Sequence, residues 1–308
     1  KKSAILGAGL FISPHLINGN INTATAQTLS PVSMVKGKDK KLMVEKAIEL
    51  LGGISNFISK SDFVLVKPNI GWSKDEKYAA NTSPDIVKKI VELCFDAGVA
   101  YVYVADRPCT SPELSYERSG IRTAAEEAGA DVFIPRSGDM ESTDLGGSLG
   151  RMDVMKVAFE VDKIINVPVA KHHNLATLTI CMKNLMGLLG YQRSSIHRNI
   201  HRKLPELARY FKPALNVVDA YNIMVKNGPT GGNLDDLIEK NTVIASPDIL
   251  TADAVTASLF TNVKDKNGET VKQFAGLDPN SVGYIKNGNN MGIGTSDFEK
   301  MDLKKTNV

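Results

Sequence analysis

Apolar positions along the chain switch repeatedly between a helical and a strand period. Between Lys41 and Leu51 the residues Leu42, Val44, Ala47, Ile48 and Leu51 gather near one helical face, and Gly52-Gly53 supplies a stop. FVLVK (63 to 67) then reads as a buried strand. Ser83-Pro84-Asp85 opens a helix, because a proline at the first helical position gives up an N–H that would lack a partner anyway; the helix closes at Gly98. AYVYVAD (100 to 106) follows as a strand, a helix near Arg122 to Ala128 stops at Gly129, and DVFI comes next. The second half repeats the alternation with strands KIINVPVAK (163 to 171), ALNVVDAY (214 to 221) and TVIAS (242 to 246), and a helix from Asp248 to about Phe260.

Strands alternating with helices predict an α/β fold, a mainly parallel sheet flanked by helices on both faces. The stretch 136 to 153, rich in Gly, Ser and Asp, predicts a break between two lobes, 27–140 and 150–308, with a cleft between them. Ahead of them, Lys1 and Lys2, the apolar run AILGAGLFISPHLI and Ala24-Thr25-Ala26 have the layout of a signal peptide cleaved after Ala26. The expectation is a single exported domain, 27–308, in the periplasm or cell envelope. No later apolar run reaches the roughly 18–20 residues that span a bilayer.

Composition narrows the partners. With 43% hydrophobic and 23% charged residues the chain is ordinary globular protein, and its formal charge is +3 including Lys1 and Lys2, so +1 without them. That balance argues against nucleic acid as a partner. Cys94, Cys109 and Cys181 form no CxxC arrangement; Cys94 reads as core packing and Cys109, in the loop RPCTSPE, as an accessible thiol.

In parallel sheets, ligands bind beyond the carboxyl ends of the strands. Here those ends carry Lys67-Pro68-Asn69, Asp106-Arg107, Lys171-His172-His173, Asp219 and Ser246-Pro247-Asp248. The segment from Lys171 to His201 also gathers every histidine outside the first fifteen residues. Imidazoles titrate near neutral pH and ligate metals, so this segment is the first place to seek chemistry. Lys183 and Asn184 sit inside the otherwise apolar, helix-like run LATLTICMKNLMGLLG, and a strand-to-helix hairpin would bring His173 and Lys183 to one opening. His197 and His201 are four apart, a metal-ligand spacing on a helix. Arg193, Arg198, Arg202 and Lys203 around them favour an anion-facing or solvated basic surface over a divalent metal. The loop Asn227 to Asn233 offers Gly228, Thr230 and Gly231 as either an anion cradle or a tight turn.

These motifs also carry a resemblance. VLVKPNI (64 to 70), TSPDIV (82 to 87), INVPVAKHHNLATLTICMKNLMGLLG (165 to 190), VVDAYNIMVKNGPTGGN (217 to 233) and IASPDILTADAV (244 to 255) resemble the ordered motifs of the bacterial and archaeal family known as domain of unknown function 362, most specifically in KxH followed by KNxxG. The resemblance implies an α/β fold and an often exported or iron–sulfur-associated protein. The ferredoxin-like cysteine clusters of many relatives are missing here, so no built-in iron–sulfur cluster is expected. The His173 to Lys183 spacing is similar to an arrangement in the nickel-pincer lactate racemase family, which implies a lysine tethering a cofactor and histidines serving the metal and proton transfer. Ile180-Cys181-Met182 stands where that family approaches the lysine through glycines.

The resulting expectation is a small-molecule enzyme whose cationic cleft binds an anionic substrate or cofactor, the cofactor itself being a metal or an organic group of open identity. His172 or His173 would move the proton, and both are candidate metal ligands. Asp106 or Asp219 would orient the histidine, and Lys183 would complete the catalytic group. Lys67, Asn69, Arg107, Lys171, Asn184, Gly228, Thr230 and Gly231 would bind the anion. The competing reading is an exported binding protein that uses the same cations without turnover. Oligomeric state is not legible in the chain.

Overall fold

The computed structural model describes residues 29–308, so the expected leader, 1–26, lies outside the described residues. The chain runs β1 (Ser30–Lys36), α1 (Lys40–Glu49), β2 (Phe63–Pro68), α2 (Pro84–Asp96), β3 (Tyr101–Val104), α3 (Pro112–Arg118), α4 (Ile121–Glu127) and β4 (Asp131–Val132). It continues through β5 (Met140–Asp144), β6 (Arg151–Met155), α5 (Val157–Glu160), β7 (Lys163–Val167), β8 (Val169–His173), β9 (Thr177–Thr179) and α6 (Cys181–Asn184). It ends with α7 (Ile200–Phe211), β10 (Leu215–Met224), β11 (Leu237–Ser246), α8 (Ile249–Ser258), α9 (Gly283–Asn290) and β12 (Met301–Asn307).

One large sheet has the order β12-β1-β11-β10-β7-β2-β3-β4, with β8 extending from β10 and β9 folded back on β8. Most of its pairings are parallel; β11 runs antiparallel to both β10 and β1, and β9 runs antiparallel to β8. The period of two sends alternate side chains to two separate apolar layers. Val64, Val66, Val217, Val243 and Ala245 enter one with α1, α2 and α4, while Leu65, Val218, Ala220 and Ile244 enter the other with α7, α8 and α9. Because both faces are covered, the central strands read as near-continuous apolar runs.

The fold departs from expectation in three places. The strand expected over 163–171 is two strands, β7 and β8, divided at Pro168, which has no N–H to give the ladder. The stretch 136–153 is not a linker: β5 and β6 form a hairpin whose connection and second strand place Leu145, Leu149, Met152, Val154 and Met155 in the larger core. The sheet is continuous across that stretch, so 27–140 and 150–308 are not separate lobes. Finally, LATLTICMKNLMGLLG is not one helix. It divides into β9, the single turn α6 and a 3₁₀ turn, Leu185–Leu188. That broken path carries Lys183 back over the ends of β2 and β3.

Candidate functional site

The foundation is a buried ion pair. Lys67, at the end of β2, donates to Asp106 Oδ1 at 2.7 Å and to the Pro68 carbonyl at 2.9 Å. Asp106 Oδ2 accepts from the Ile70 N–H at 2.7 Å, and the Tyr116 hydroxyl bonds both the N–H and the C=O of Asp106. The carboxylate therefore fixes the loop after β2 as well as neutralising Lys67. Burial pulls the Lys67 pKa below its ordinary value, against the attraction of Asp106. The 3₁₀ turn after α6 crosses directly over the pair: a Cβ on Gly187 would lie 1.7 Å from Asp106 Oδ1, so only glycine fits the last position of the KNxxG block.

A chain of amides, buried at Asn216, Asn166 and Asn184 and half-buried at Asn69, runs from the sheet into the site. Asn216 on β10 donates to the Ser246 carbonyl at 3.2 Å and accepts from Asn166 of β7 at 3.0 Å. Asn166 accepts from Asn184 at 2.9 Å, Asn184 accepts from Asn69 at 3.0 Å, and Asn69 accepts from Lys171 Nζ at 2.9 Å. Each amide both donates and accepts, so no member is left unpaired and each fixes the next. Lys171 also donates to the Ala80 carbonyl. Burial and the neighbouring Lys183 and Lys67 lower its pKa to about 7.

Above this floor lies a cavity of about 190 Å³ lined by Lys171, His173, Thr179, Lys183, Arg107 and Arg193, with Trp72 and Met186 supplying apolar wall. Its one acidic lining residue, Asp106, is already engaged, so the cavity is electropositive. Arg107 lays its guanidinium 4.0 Å from the Tyr191 ring centroid. Arg193 donates to the Arg107 and Pro108 carbonyls and to Cys109 Sγ at 3.3 Å.

His173 Nδ1 accepts from the Leu175 and Ala176 N–H groups at 3.1 and 3.2 Å, which assigns its proton to Nε2. Burial, with Lys183 and His197 next to it, lowers its pKa to about 3, so it stays neutral at pH 7. Its ring stacks on His197 with centroids 5.9 Å apart. Lys183 Nζ makes no hydrogen bond or ion pair with any described residue, and burial plus Arg193 and Lys67 lower its pKa to about 8. Thr179, on β9 opposite Lys171, is 4% exposed, and its hydroxyl has no hydrogen-bond partner among the described residues.

Residues 64–258, more than half of the chain, match the family described as Domain of unknown function (DUF362). The chain belongs to the DUF362 family. A thylakoid-associated protein of Synechocystis sp. is 27% identical over 221 residues, which is 69% of this chain and 67% of that protein. Among solved structures, the lactate racemase apoprotein of Thermoanaerobacterium thermosaccharolyticum is similar with a TM-score of 0.49 and 13% identity, over 75% of this chain and 58% of that one. A Thermotoga maritima protein gives 0.42 and 10%, over 72% and 59%. The chain thus spans less than two thirds of either structure's length. Likeness at this level assigns no chemistry to it.

The DUF362 cavity unites Asn69, Asp106, Arg107, Lys171, His173, Lys183 and Asn184, all expected from the sequence, with Lys67 directly beneath. Other expected members lie elsewhere. His172 projects from the opposite face of β8, accepts from the Gly228 N–H at 3.1 Å and meets Phe274 edge-on. His172 and His173 therefore cannot share one metal, and among the described residues no group of three or more His, Cys, Asp and Glu is placed to hold an ion. Asp219 is also outside the cavity: it accepts from the Ser83 and Tyr221 N–H groups at 2.8 and 3.1 Å, holding the start of α2. It does not orient a histidine, and neither does Asp106.

The glycine loop ties back to His172 through Gly228, and only its Pro229 reaches the cavity, so Gly228, Thr230 and Gly231 do not line it. His197 and His201 do not share a helix, because Asn199 adopts a left-handed conformation between them; His197 faces the cavity and His201 packs against Gly283. Sequence reasoning missed Thr179, which carries no motif signal, and Asp253 of α8, whose buried carboxylate accepts from the Cys181 and Met182 N–H groups at 2.6 and 3.1 Å and anchors the turn bearing Lys183. Among the described residues no helix is long and apolar enough to cross a membrane.

Proposed function

We propose that this DUF362 protein is an exported small-molecule enzyme whose cationic cavity binds a small anionic substrate or cofactor, with Lys183 as its reactive group. One observation carries the reading. Of the three lysines at the site, Lys67 is paired with Asp106 and Lys171 is held by Asn69 and Ala80, while Lys183 faces the cavity with no partner among the described residues. Lys183 is half-buried among other cations, and a partly desolvated cation without a counter-charge is costly; an anion in the cavity removes that cost. Arg107 and Arg193 add charge at the same wall. Neutral His173, with Nε2–H as its free donor, serves as a hydrogen-bond donor or general acid, as a neutral imidazole can where negative charge develops. The cavity is well below the ~300–1,000 Å³ of pockets for drug-sized ligands, so its occupant is small.

A thermal-denaturation screen against small mono- and dianions tests the reading. The expected result is saturable stabilisation of the wild type that is lost in Lys183→Met, together with His173→Gln that still binds but turns nothing over. Equal stabilisation of wild type and Lys183→Met would sink the assignment. Binding with no turnover in any substrate screen would move the protein to the class of exported binding proteins. Export rests on the layout of residues 1–26, and N-terminal sequencing of the protein from a cell-envelope fraction checks it, cleavage after Ala26 being the expected result.

A further inference from the structure

We propose that Lys183 is the nucleophile of an imine-forming site for a small 2-oxo carboxylate. The inference rests on the reading of the cavity as an anion site and adds a carbonyl to the ligand. Three features of the cavity ask for more than an anion. The first is an amine with no partner, facing the cavity beside Arg193 and the pair of Lys67 and Lys171; crowding among cations and loss of water are what make a lysine nucleophilic near neutral pH. The second is Thr179, buried, its hydroxyl unpartnered and its residue part of the cavity wall. An orphaned hydroxyl in a buried wall points to a polar group of a ligand. The third is the His173 Nε2–H, whose tautomer is set by two backbone donors on Nδ1.

A 2-oxo carboxylate meets all three. Its carboxylate lies against Arg193 and Arg107, its carbonyl oxygen takes hydrogen bonds from Thr179 and His173, and a short alkyl group rests on Trp72 and Met186. The Lys183 lone pair adds to the carbonyl carbon while the C=O π pair moves to oxygen. The C–O bond then breaks as the C=N bond forms, and both amine protons leave on the departing oxygen as one water. No oxidant or reductant is consumed. Once its nitrogen takes a proton from solvent water, the imine is an electron sink adjacent to the substrate's remaining bonds. Burial depresses the Lys183 pKa to about 8, which leaves a useful fraction of free amine at pH 7.

Pyruvate with sodium cyanoborohydride tests the proposal on the full chain, with intact mass and peptide mapping as readouts and lactate, which lacks the carbonyl, as control. The expected result is one reduced pyruvate adduct on Lys183, absent with lactate and absent from Lys183→Arg. Thermal stabilisation of the wild type by pyruvate and lactate, measured in parallel, reads the anion site independently. Stabilisation by both without an adduct would overturn imine formation and leave the anion site standing. No adduct and no stabilisation would overturn both, and adducts spread evenly over surface lysines would overturn the assignment to Lys183.

Discussion

Replacing Lys183, half-buried in the cavity wall, with methionine should make the ligand-free protein more stable, against the usual direction for a substitution. Methionine retains most of the side-chain volume and removes the charge. A free lysine titrates near ~10.4, and the drop to about 8 corresponds to about 3 kcal/mol of unfavourable burial of the charged form. Between the two values the unfolded chain binds more protons than the folded one, so wild-type stability rises with pH across that interval. The penalty is fully present below about pH 8 and gone above ~10.4. Lys183→Met should therefore lead the wild type by up to about 3 kcal/mol at pH 7 and by less than ~0.5 kcal/mol at pH 10.5. Relief of Lys171, whose pKa Lys183 also depresses, acts in the same direction. Guanidinium unfolding at the two pH values measures the difference. A variant less stable than wild type at pH 7, or an advantage independent of pH, would refute the reasoning. A site kept at such a cost to stability is what function demands and packing does not.

Other perturbations separate the parts of the site. Asp106→Ala strands Lys67 and frees the Ile70 N–H, and should cost about 3–5 kcal/mol in chemical denaturation, whereas the double change Lys67→Met/Asp106→Leu should cost less than either single change. His172→Ala removes the acceptor of the Gly228 N–H outside the cavity; stability should fall by about 1–3 kcal/mol while anion affinity in calorimetry stays within twofold. Burial raises the Asp253 pKa to about 7, so its folded form favours the protonated acid. Its contribution to stability is neutral below ~4 and falls by about 4 kcal/mol as pH rises to 7, and Asp253→Asn should flatten that part of the stability profile.

Much of the site was legible because strand ends announce it. Lys67, Asp106 and Lys171 each terminate or follow a run of apolar residues with the period of a buried strand, and parallel topology then places those ends together. What failed was local. His172 and His173 are adjacent in sequence, and the strand period sends adjacent side chains to opposite faces, so only one of them enters the cavity. The four-residue spacing of His197 and His201 was real but interrupted by Asn199, whose left-handed backbone no periodicity reveals. Asp219 matched the pattern of a strand-end acid and is spent on the start of α2. Thr179 was invisible because its meaning lies in a missing partner, which exists only in three dimensions.

The central claim is that Lys183 is an unpaired, accessible amine titrating far below a normal lysine in a cavity that holds an anion. Competitive labelling of every lysine with an amine reagent across pH, read by peptide mass spectrometry with and without sulfate, tests it directly. The account predicts a labelling midpoint for Lys183 at about 8, with protection by sulfate. A midpoint near the ~10.4 of a free lysine, or labelling indifferent to sulfate, would contradict it.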